Sequence, residues 1–171
     1  MELLIGAGRD RTKKLYIKEK GNEWNDLKTL DNNPDIETDY FMDLNKGCLP
    51  LPVNSVDEIH AYDVLEHLGS QGDYKFFFKE FSEYWRVLKP GGYFFAIVPS
   101  IRSHWALGDP SHTRVFCQEW LVFLSQAEYV TQIDVEKRNM SDFRYLYTAD
   151  FETIYSYDDG THLKFILKAI K

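Results

Sequence analysis

Short blocks of apolar residues, separated by polar and glycine-rich stretches, predict a chain built mainly from strands. The apolar runs at 3–5 and 93–98 are brief enough to be buried strands, and three mixed segments, at 27–31, 40–44 and 56–62, are further strand candidates. A last pair of runs, at 151–157 and 163–170, flanks the turn-forming sequence Asp158-Asp159-Gly160. That arrangement predicts a β-hairpin at the end of the chain.

Residues 73–88 carry the clearest helical pattern. Phe77, Phe81, Tyr84 and Leu88 recur at spacings of three and four, and a Lys-Pro-Gly-Gly sequence ends the pattern. A second helix is predicted over 118–125. Strands joined by crossovers predict an α/β, Rossmann-like, doubly wound and mostly parallel sheet with a C-terminal antiparallel hairpin. We expect one domain over residues 1–171.

Composition narrows the class of protein. The chain of 171 residues is 44% hydrophobic and 27% charged, as in soluble globular domains. No apolar run is long enough to span a bilayer, and the N-terminus does not resemble a signal peptide. Cys48 and Cys117 lie far apart without metal-binding spacing, so we expect a cytoplasmic protein.

The net charge of −7, with scattered basic residues, makes a nucleic-acid partner unexpected. A small molecule is the favoured partner, without a membrane. A second copy of the chain could complete the site in a homo-oligomer.

Candidate ligand-binding residues follow the strands, where doubly wound sheets bind ligands. Gly6-Ala7-Gly8 ends the first strand, Asp31 and Asn32 end the second, and Asp43-Leu44 end the third. A third glycine, needed for a dinucleotide, is replaced by Arg11. Each residue also has a structural interpretation: a tight turn for the glycines, a turn former for Asp31 and a cap for Asp43.

Longer stretches carry a family resemblance. The sequences LLIGAG, LDNNPD, MDLN, VLEHL and RVLKPGG occur in order within residues 3–100. In that order they resemble class I S-adenosylmethionine-dependent methyltransferases. The later DPSHTR sequence, from Asp109, resembles a loop of small members of the same branch.

The resemblance implies methyl transfer from S-adenosylmethionine and assigns cofactor contacts. Gly6, Ala7 and Gly8 would face the methionine moiety, Asp31 and Asn32 the ribose, Asp43 and Leu44 the adenine, and Tyr62 the sulfonium.

Residues after the fourth and fifth strands could activate the acceptor. His112 is the favoured proton acceptor, with Asp63 and His67 as further catalytic candidates. Arg114 could bind an anionic group of the acceptor. The alternative is a loop held only by its own hydrogen bonds.

A metal site is a less favoured interpretation of the same region. Asp63, Glu66 and His67 share one face of a helical turn, and His112 could join them around a divalent ion. The arrangement is similar to the magnesium site of small-RNA and ubiquinone-pathway O-methyltransferases. Glu66 and His67 could equally well only cap the turn, so no metal is expected.

Two other functions stay open. The chain could be a non-catalytic subunit that binds S-adenosylmethionine or a partner, or, less favoured, an NAD-dependent oxidoreductase. For the methyltransferase, the residues do not identify the acceptor; an O or N atom of a small molecule or sugar is expected.

Overall fold

A computed structural model describes residues 1–171 as a seven-stranded sheet with one long helix. The strands are β1 (Glu2–Ile5), β2 (Leu27–Asp31), β3 (Tyr40–Phe41), β4 (Val56–Tyr62), β5 (Leu88–Pro99), β6 (Phe151–Asp158) and β7 (His162–Ala169). Their order in the sheet is β3-β2-β1-β4-β5-β7-β6.

The strand directions confirm the predicted fold class. β1 pairs in parallel with both β2 and β4, and β4 pairs in parallel with β5. β7 is antiparallel to β5 and to β6, as the hairpin predicts. The strand order reverses between β1 and β4, so a ligand is expected beyond the carboxyl ends of those two strands.

Helix α1 (Tyr74–Val87) covers one face of the sheet. The Asp73 carboxylate caps it by accepting a hydrogen bond from Phe76 N at 3.0 Å. Phe77, Phe78 and Phe81 on its inner side are buried in the main core with strand residues such as Phe94. The period of three to four residues read from the sequence is therefore the core-facing stripe of this helix.

Some predicted elements differ in extent or type. β3 has two residues in place of the predicted five, and β5 begins at Leu88, directly after α1. The helix predicted over 118–125 is a 3-10 helix, Gln118–Leu124. Two short α-helices, α2 (Trp105–Gly108) and α3 (Gln126–Tyr129), flank it, and a π-helical turn, Val130–Val135, follows.

The opposite face of the sheet is covered by residues 6–26, which contain no helix. A buried ion network lies beneath this segment: Lys13 Nζ is 3.0 Å from Glu2 Oε1 and 2.9 Å from Glu58 Oε2. Burial opposes the charge of Glu58, but hydrogen bonds from His60, Lys13 and Lys20 hold the pKa of its carboxyl well below the usual range. The segment is thus fixed to the sheet by charges rather than by an amphipathic helix. None of the helices is long and apolar enough to cross a membrane.

Candidate functional site

A cavity of about 230 Å³ opens at the carboxyl ends of β1, β2 and β4. We name it the switch-point cavity; its lining includes Gly6, Asp31, Asn32, Leu44, Asp63 and His67, and is completed by Leu30, Met42, Asn45, Val64 and Leu68. It therefore brings together residues that the sequence predicted from four separate stretches.

Gly6 lets the backbone pass close to the next turn. Its φ of +60° is in the left-handed region, and a Cβ there would lie 2.4 Å from Val64 Cγ2. No other residue fits both the dihedral angle and the space. The first glycine of the Gly-Ala-Gly turn thus sets the wall of the cavity.

Asp31 is held by the turn that it faces. Its Oδ2 accepts a hydrogen bond from Gly8 N at 2.9 Å, and its Oδ1 accepts one from Asn33 N at 2.8 Å. A carboxylate oxygen has two acceptor positions, so each oxygen keeps one for a ligand. A pair of hydroxyl groups, such as those of a ribose, suits this arrangement.

Four predicted cofactor residues do not line the cavity. Ala7 is buried against Leu4 and Tyr62 on the other face of the sheet. Gly8 lies outside the lining, and its N donates a hydrogen bond to the Asp31 carboxylate. Asp43 caps its own turn by accepting from Asn45 N, and it pairs with Lys46.

The Tyr62 side chain points away from the switch-point cavity. Its hydroxyl lies 2.6 Å from His60 Nδ1 and accepts from Leu15 N at 3.1 Å. Because Tyr62 is the last residue of a strand, its position in the sequence placed it at the correct edge but did not fix the face.

A second cavity, of about 390 Å³, lies beside the first and is named the loop cavity. Its lining is mostly apolar: Ile101, Ala106, Leu107, Val115 and Trp120, with Gln71, His112, Thr113, Arg114 and Cys117. The loop is fastened to the turn after β4, since Thr113 N and Arg114 N both donate to the Glu66 carbonyl, at 2.9 and 3.2 Å.

His67 and His112 lie where the two cavities approach each other. His67 lines the switch-point cavity and His112 lines the loop cavity. Their rings are in T-shaped contact with centroids 4.7 Å apart. His67 Nδ1 is 3.2 Å from both the carbonyl and the hydroxyl oxygen of Ser111.

Glu66 lies next to this pair and is only 2% exposed. Neither of its carboxylate oxygens has a hydrogen-bond partner, and the same is true of His112 Nδ1. Burial raises the pKa of Glu66 to about 8, and the negative charges of Asp63 and Asp109 act in the same direction. The nearest ligand atoms of Glu66, His67 and His112 all lie within 4.8 Å of one another.

Asp63 is not part of that group. Its φ of +52° turns it out of the short 3-10 helix Leu65–His67, and its Oδ1 lies 4.0 Å from His162 Nε2. The helical spacing that predicted convergence with Glu66 starts after Asp63, so three of the four proposed metal ligands come together.

Arg114 does not serve as an anion site. Its Nη2 donates to both carboxylate oxygens of Glu80, at 2.9 and 2.7 Å, and its Nε donates to the Leu65 carbonyl at 2.8 Å. The pair is buried, so the arginine joins the loop to α1 and has no charge to offer a ligand.

The sequence reasoning missed Gln71 and Asn45. Gln71 lines the loop cavity, and its Oε1 accepts from Val115 N at 2.8 Å; Asn45 Oδ1 accepts from Gly69 N at 2.8 Å beside the switch-point cavity. Both residues stand in polar loop sequence, where no periodic pattern marks an inward-facing side chain.

Comparison with known proteins finds a sequence family that is similar to part of the chain. Residues 26–96 match the sequence family described as methyltransferase domain, a stretch that holds β2 through most of β5. The match covers 71 of the 171 residues, and over that stretch the chain is similar to methyltransferase domains. No curated protein matches the chain.

Solved structures agree with the methyltransferase fold. An S-adenosylmethionine-dependent methyltransferase from Archaeoglobus fulgidus is 18% identical, with a TM-score of 0.60 over 98% of this chain and 85% of its own. The N-methyltransferase NodS from Bradyrhizobium japonicum, in complex with S-adenosylhomocysteine, is 15% identical, with a TM-score of 0.54 over 99% of this chain and 78% of its own.

A third structure is the Burkholderia thailandensis 1,6-didemethyltoxoflavin N1-methyltransferase with its substrate and S-adenosylhomocysteine bound. It is 15% identical, with a TM-score of 0.53 over 99% of this chain and 71% of its own. At such identities these likenesses show the fold of the methyltransferase domain.

Proposed function

We propose that the chain transfers a methyl group from S-adenosylmethionine to a hydroxyl or amino group of a small molecule. The observation that carries the proposal is the contact between His67 and His112, which joins a cavity at the strand switch point to a second cavity beside it. Methyl transfer needs two such adjoining sites because donor and acceptor must meet in line.

Residues of the switch-point cavity suit the cofactor. Asp31 would accept hydrogen bonds from the ribose hydroxyls, Leu44 and Met42 would pack on the adenine, and Gly6 would let the methionine end approach the backbone. When bound, the cofactor supplies a methyl group on a positively charged sulfur, which leaves as the neutral thioether once the acceptor bonds to the methyl carbon.

His112 would take the proton that the acceptor loses. Its Nε2 lies 3.9 Å from Asp109 Oδ2 and 4.0 Å from Glu66 Oε1, so the imidazolium would form beside two carboxyl groups. His67 would close the switch-point side of the junction and help to exclude water. If the acceptor is a neutral amine, its alignment contributes more to the rate of methyl transfer than the base does.

A dinucleotide fits the same cavity poorly. The pyrophosphate of NAD binds at a helix N-terminus after the glycine turn, and residues 6–26 contain no helix. This favours S-adenosylmethionine over an NAD-dependent reaction. A cytoplasmic location agrees with the two free cysteines, Cys48 and Cys117.

A divalent cation is a second candidate for activating the acceptor. Two imidazoles and a buried carboxylate without hydrogen bonds form a ligand set of the kind that zinc, iron and manganese accept. Elemental analysis of protein purified with these metals present decides between a bound cation and His112 as the group that activates the acceptor. A stoichiometric metal that is lost in His112→Ala supports the cation, and its absence supports His112 as the base.

Calorimetry and a transfer assay test the proposed function. S-adenosylhomocysteine should bind and NAD should not; tight binding of NAD alone would overturn the proposal. Transfer of radiolabelled methyl groups to fractionated small molecules should fall roughly a hundredfold in His112→Ala, with unchanged affinity for S-adenosylhomocysteine. His104→Ala, an exposed histidine of the same loop, is the control. Binding without any transfer would favour a non-catalytic subunit.

A further inference from the structure

A third cavity lies beside the loop cavity, and Trp120 belongs to the lining of both. This aromatic cavity, of about 290 Å³, shares Gln71, Arg114 and Trp120 with the loop cavity. Its other walls include the rings of Tyr74, Phe77, Phe78, Phe123 and Phe143. The loop cavity, which His112 lines, therefore borders a cluster of aromatic rings at Trp120.

The shared wall is rigid. The Trp120 ring is in T-shaped contact with Phe77, with centroids 5.4 Å apart, and lies 5.1 Å from Phe116. Gln71 is fixed by hydrogen bonds that its backbone N donates to the Thr113 carbonyl and its Oε1 accepts from Val115 N. An aromatic ligand could stack on such a wall without reordering it.

The charged residues that line the loop and aromatic cavities do not favour the binding of an anion. Arg114 lines both cavities, and both of its hydrogen bonds to carboxylate oxygens go to Glu80. Asp73, also on the wall, is the cap of α1, and Asp109 lies beside His112. A phosphate or carboxylate entering here would meet these two carboxylates and an arginine that is already paired with Glu80.

The mouth of the loop cavity is apolar and open to water. Ile101 is 59% exposed and Leu107 is 82% exposed, and both line the cavity. Trp105, on the same short helix as Leu107, is 63% exposed. Large apolar side chains gathered at the rim of an apolar cavity are typical of a site that an apolar ligand covers.

From these observations we infer that the loop cavity binds an uncharged aromatic molecule, which stacks on Trp120 and directs a hydroxyl or amino group at His112. The inference rests on the proposed function for naming this molecule the methyl acceptor. It replaces the sugar expected from the sequence, because six of the ten residues that line the loop cavity are apolar and the exposed rim residues Ile101 and Leu107 are aliphatic.

Matched probes test the inference on the whole chain. 2-Naphthol and its anionic phosphate ester, 2-naphthyl phosphate, are titrated by calorimetry with and without saturating S-adenosylhomocysteine. 2-Naphthol should bind at least roughly tenfold more tightly than the phosphate and than glucose. Equal or tighter binding of the phosphate or of glucose would overturn the inference, as would failure of 2-naphthol to bind.

Surface variants locate the binding. Leu107→Glu changes a rim residue that is already exposed, and it should weaken 2-naphthol binding by roughly tenfold. Val135→Glu, at a side chain that is 70% exposed outside both cavities, should leave it unchanged. Equal effects of the two variants would contradict the assigned site. Absence of S-adenosylhomocysteine binding would instead count against the proposed function, since the 2-naphthol titration without it still reports on the cavities.

Discussion

The side chain of Asp31 spans from the second strand to the glycine turn after the first, where its Oδ2 accepts a 2.9 Å hydrogen bond from Gly8 N. The two residues are 23 positions apart in the chain. Their contact links the residue proposed to hold the ribose with the turn proposed to face the methionine end of the cofactor, so both depend on one carboxylate.

Asp31→Asn should weaken S-adenosylhomocysteine binding by roughly ten- to a hundredfold. The amide offers one acceptor oxygen in place of two and loses the charge, and a hydrogen bond to a charged group contributes about 1.5–3 kcal/mol. Calorimetry measures the affinity. Asp35→Asn, an exposed residue of the following turn, is the control and should bind as the unchanged protein does. Equal affinities of the two variants would remove Asp31 from the cofactor site.

Gly6→Ala should lower the free energy of unfolding by about 2–4 kcal/mol, because the added Cβ meets Val64 and the left-handed dihedral angle is strained. The control is Gly72→Ala: its φ is +84°, but no atom lies within 4 Å of the added Cβ. It should lose only about 1 kcal/mol. Urea denaturation measures both, and similar losses would mean that the Val64 contact is unimportant.

Local patterns in the sequence were enough to predict much of the fold. β2 and β4 match their predicted bounds, although each holds polar residues among its apolar ones, because turn-forming residues flank both segments. The residues after the strands also reach one cavity, since parallel strands end at the same edge.

Contacts between distant residues could not be predicted in this way. Arg114 pairs with Glu80, 34 positions earlier, and nothing in the DPSHTR sequence distinguishes a buried ion pair from an anion site. Asp63 is displaced from Glu66 by a single left-handed residue, a conformation that spacing does not reveal. Both differences arise from tertiary packing rather than from local preference.

Arg114→Met should lower the free energy of unfolding by about 3–5 kcal/mol because it leaves the buried Glu80 without its partner. Adding Glu80→Gln should restore part of the loss, since the amide is uncharged and still accepts from the Tyr84 hydroxyl. Arg144→Met removes partly exposed ion pairs with Asp134 and Asp142 and should change stability by about 1 kcal/mol or less. Chemical denaturation compares the three variants. A loss in Arg114→Met no larger than in Arg144→Met would contradict the structural role of the pair.

Glu66 should make the protein less stable as the pH rises toward 8. Its pKa is raised from 4.5 to about 8 in the folded chain. Below about pH 4.5 the carboxyl is protonated in both states, and its burial then carries no charge penalty. Between these pH values the unfolded chain releases the proton while the folded chain keeps it, so the free energy of unfolding should fall by up to about 1.4 kcal/mol per pH unit.

Urea denaturation at pH values from about 5 to 8 isolates this contribution when the protein is compared with Glu66→Gln, which cannot ionise. The difference in stability between the two should grow in favour of the variant as the pH rises. Glu119 is an exposed glutamate between two residues that line the loop cavity, Cys117 and Trp120. The stability of Glu119→Gln should vary with pH as that of the unchanged protein does. Parallel curves for all three proteins would show that Glu66 ionises normally. A cation bound to Glu66 would hold it deprotonated, so loss of the pH dependence on adding zinc would favour the metal over the free carboxyl.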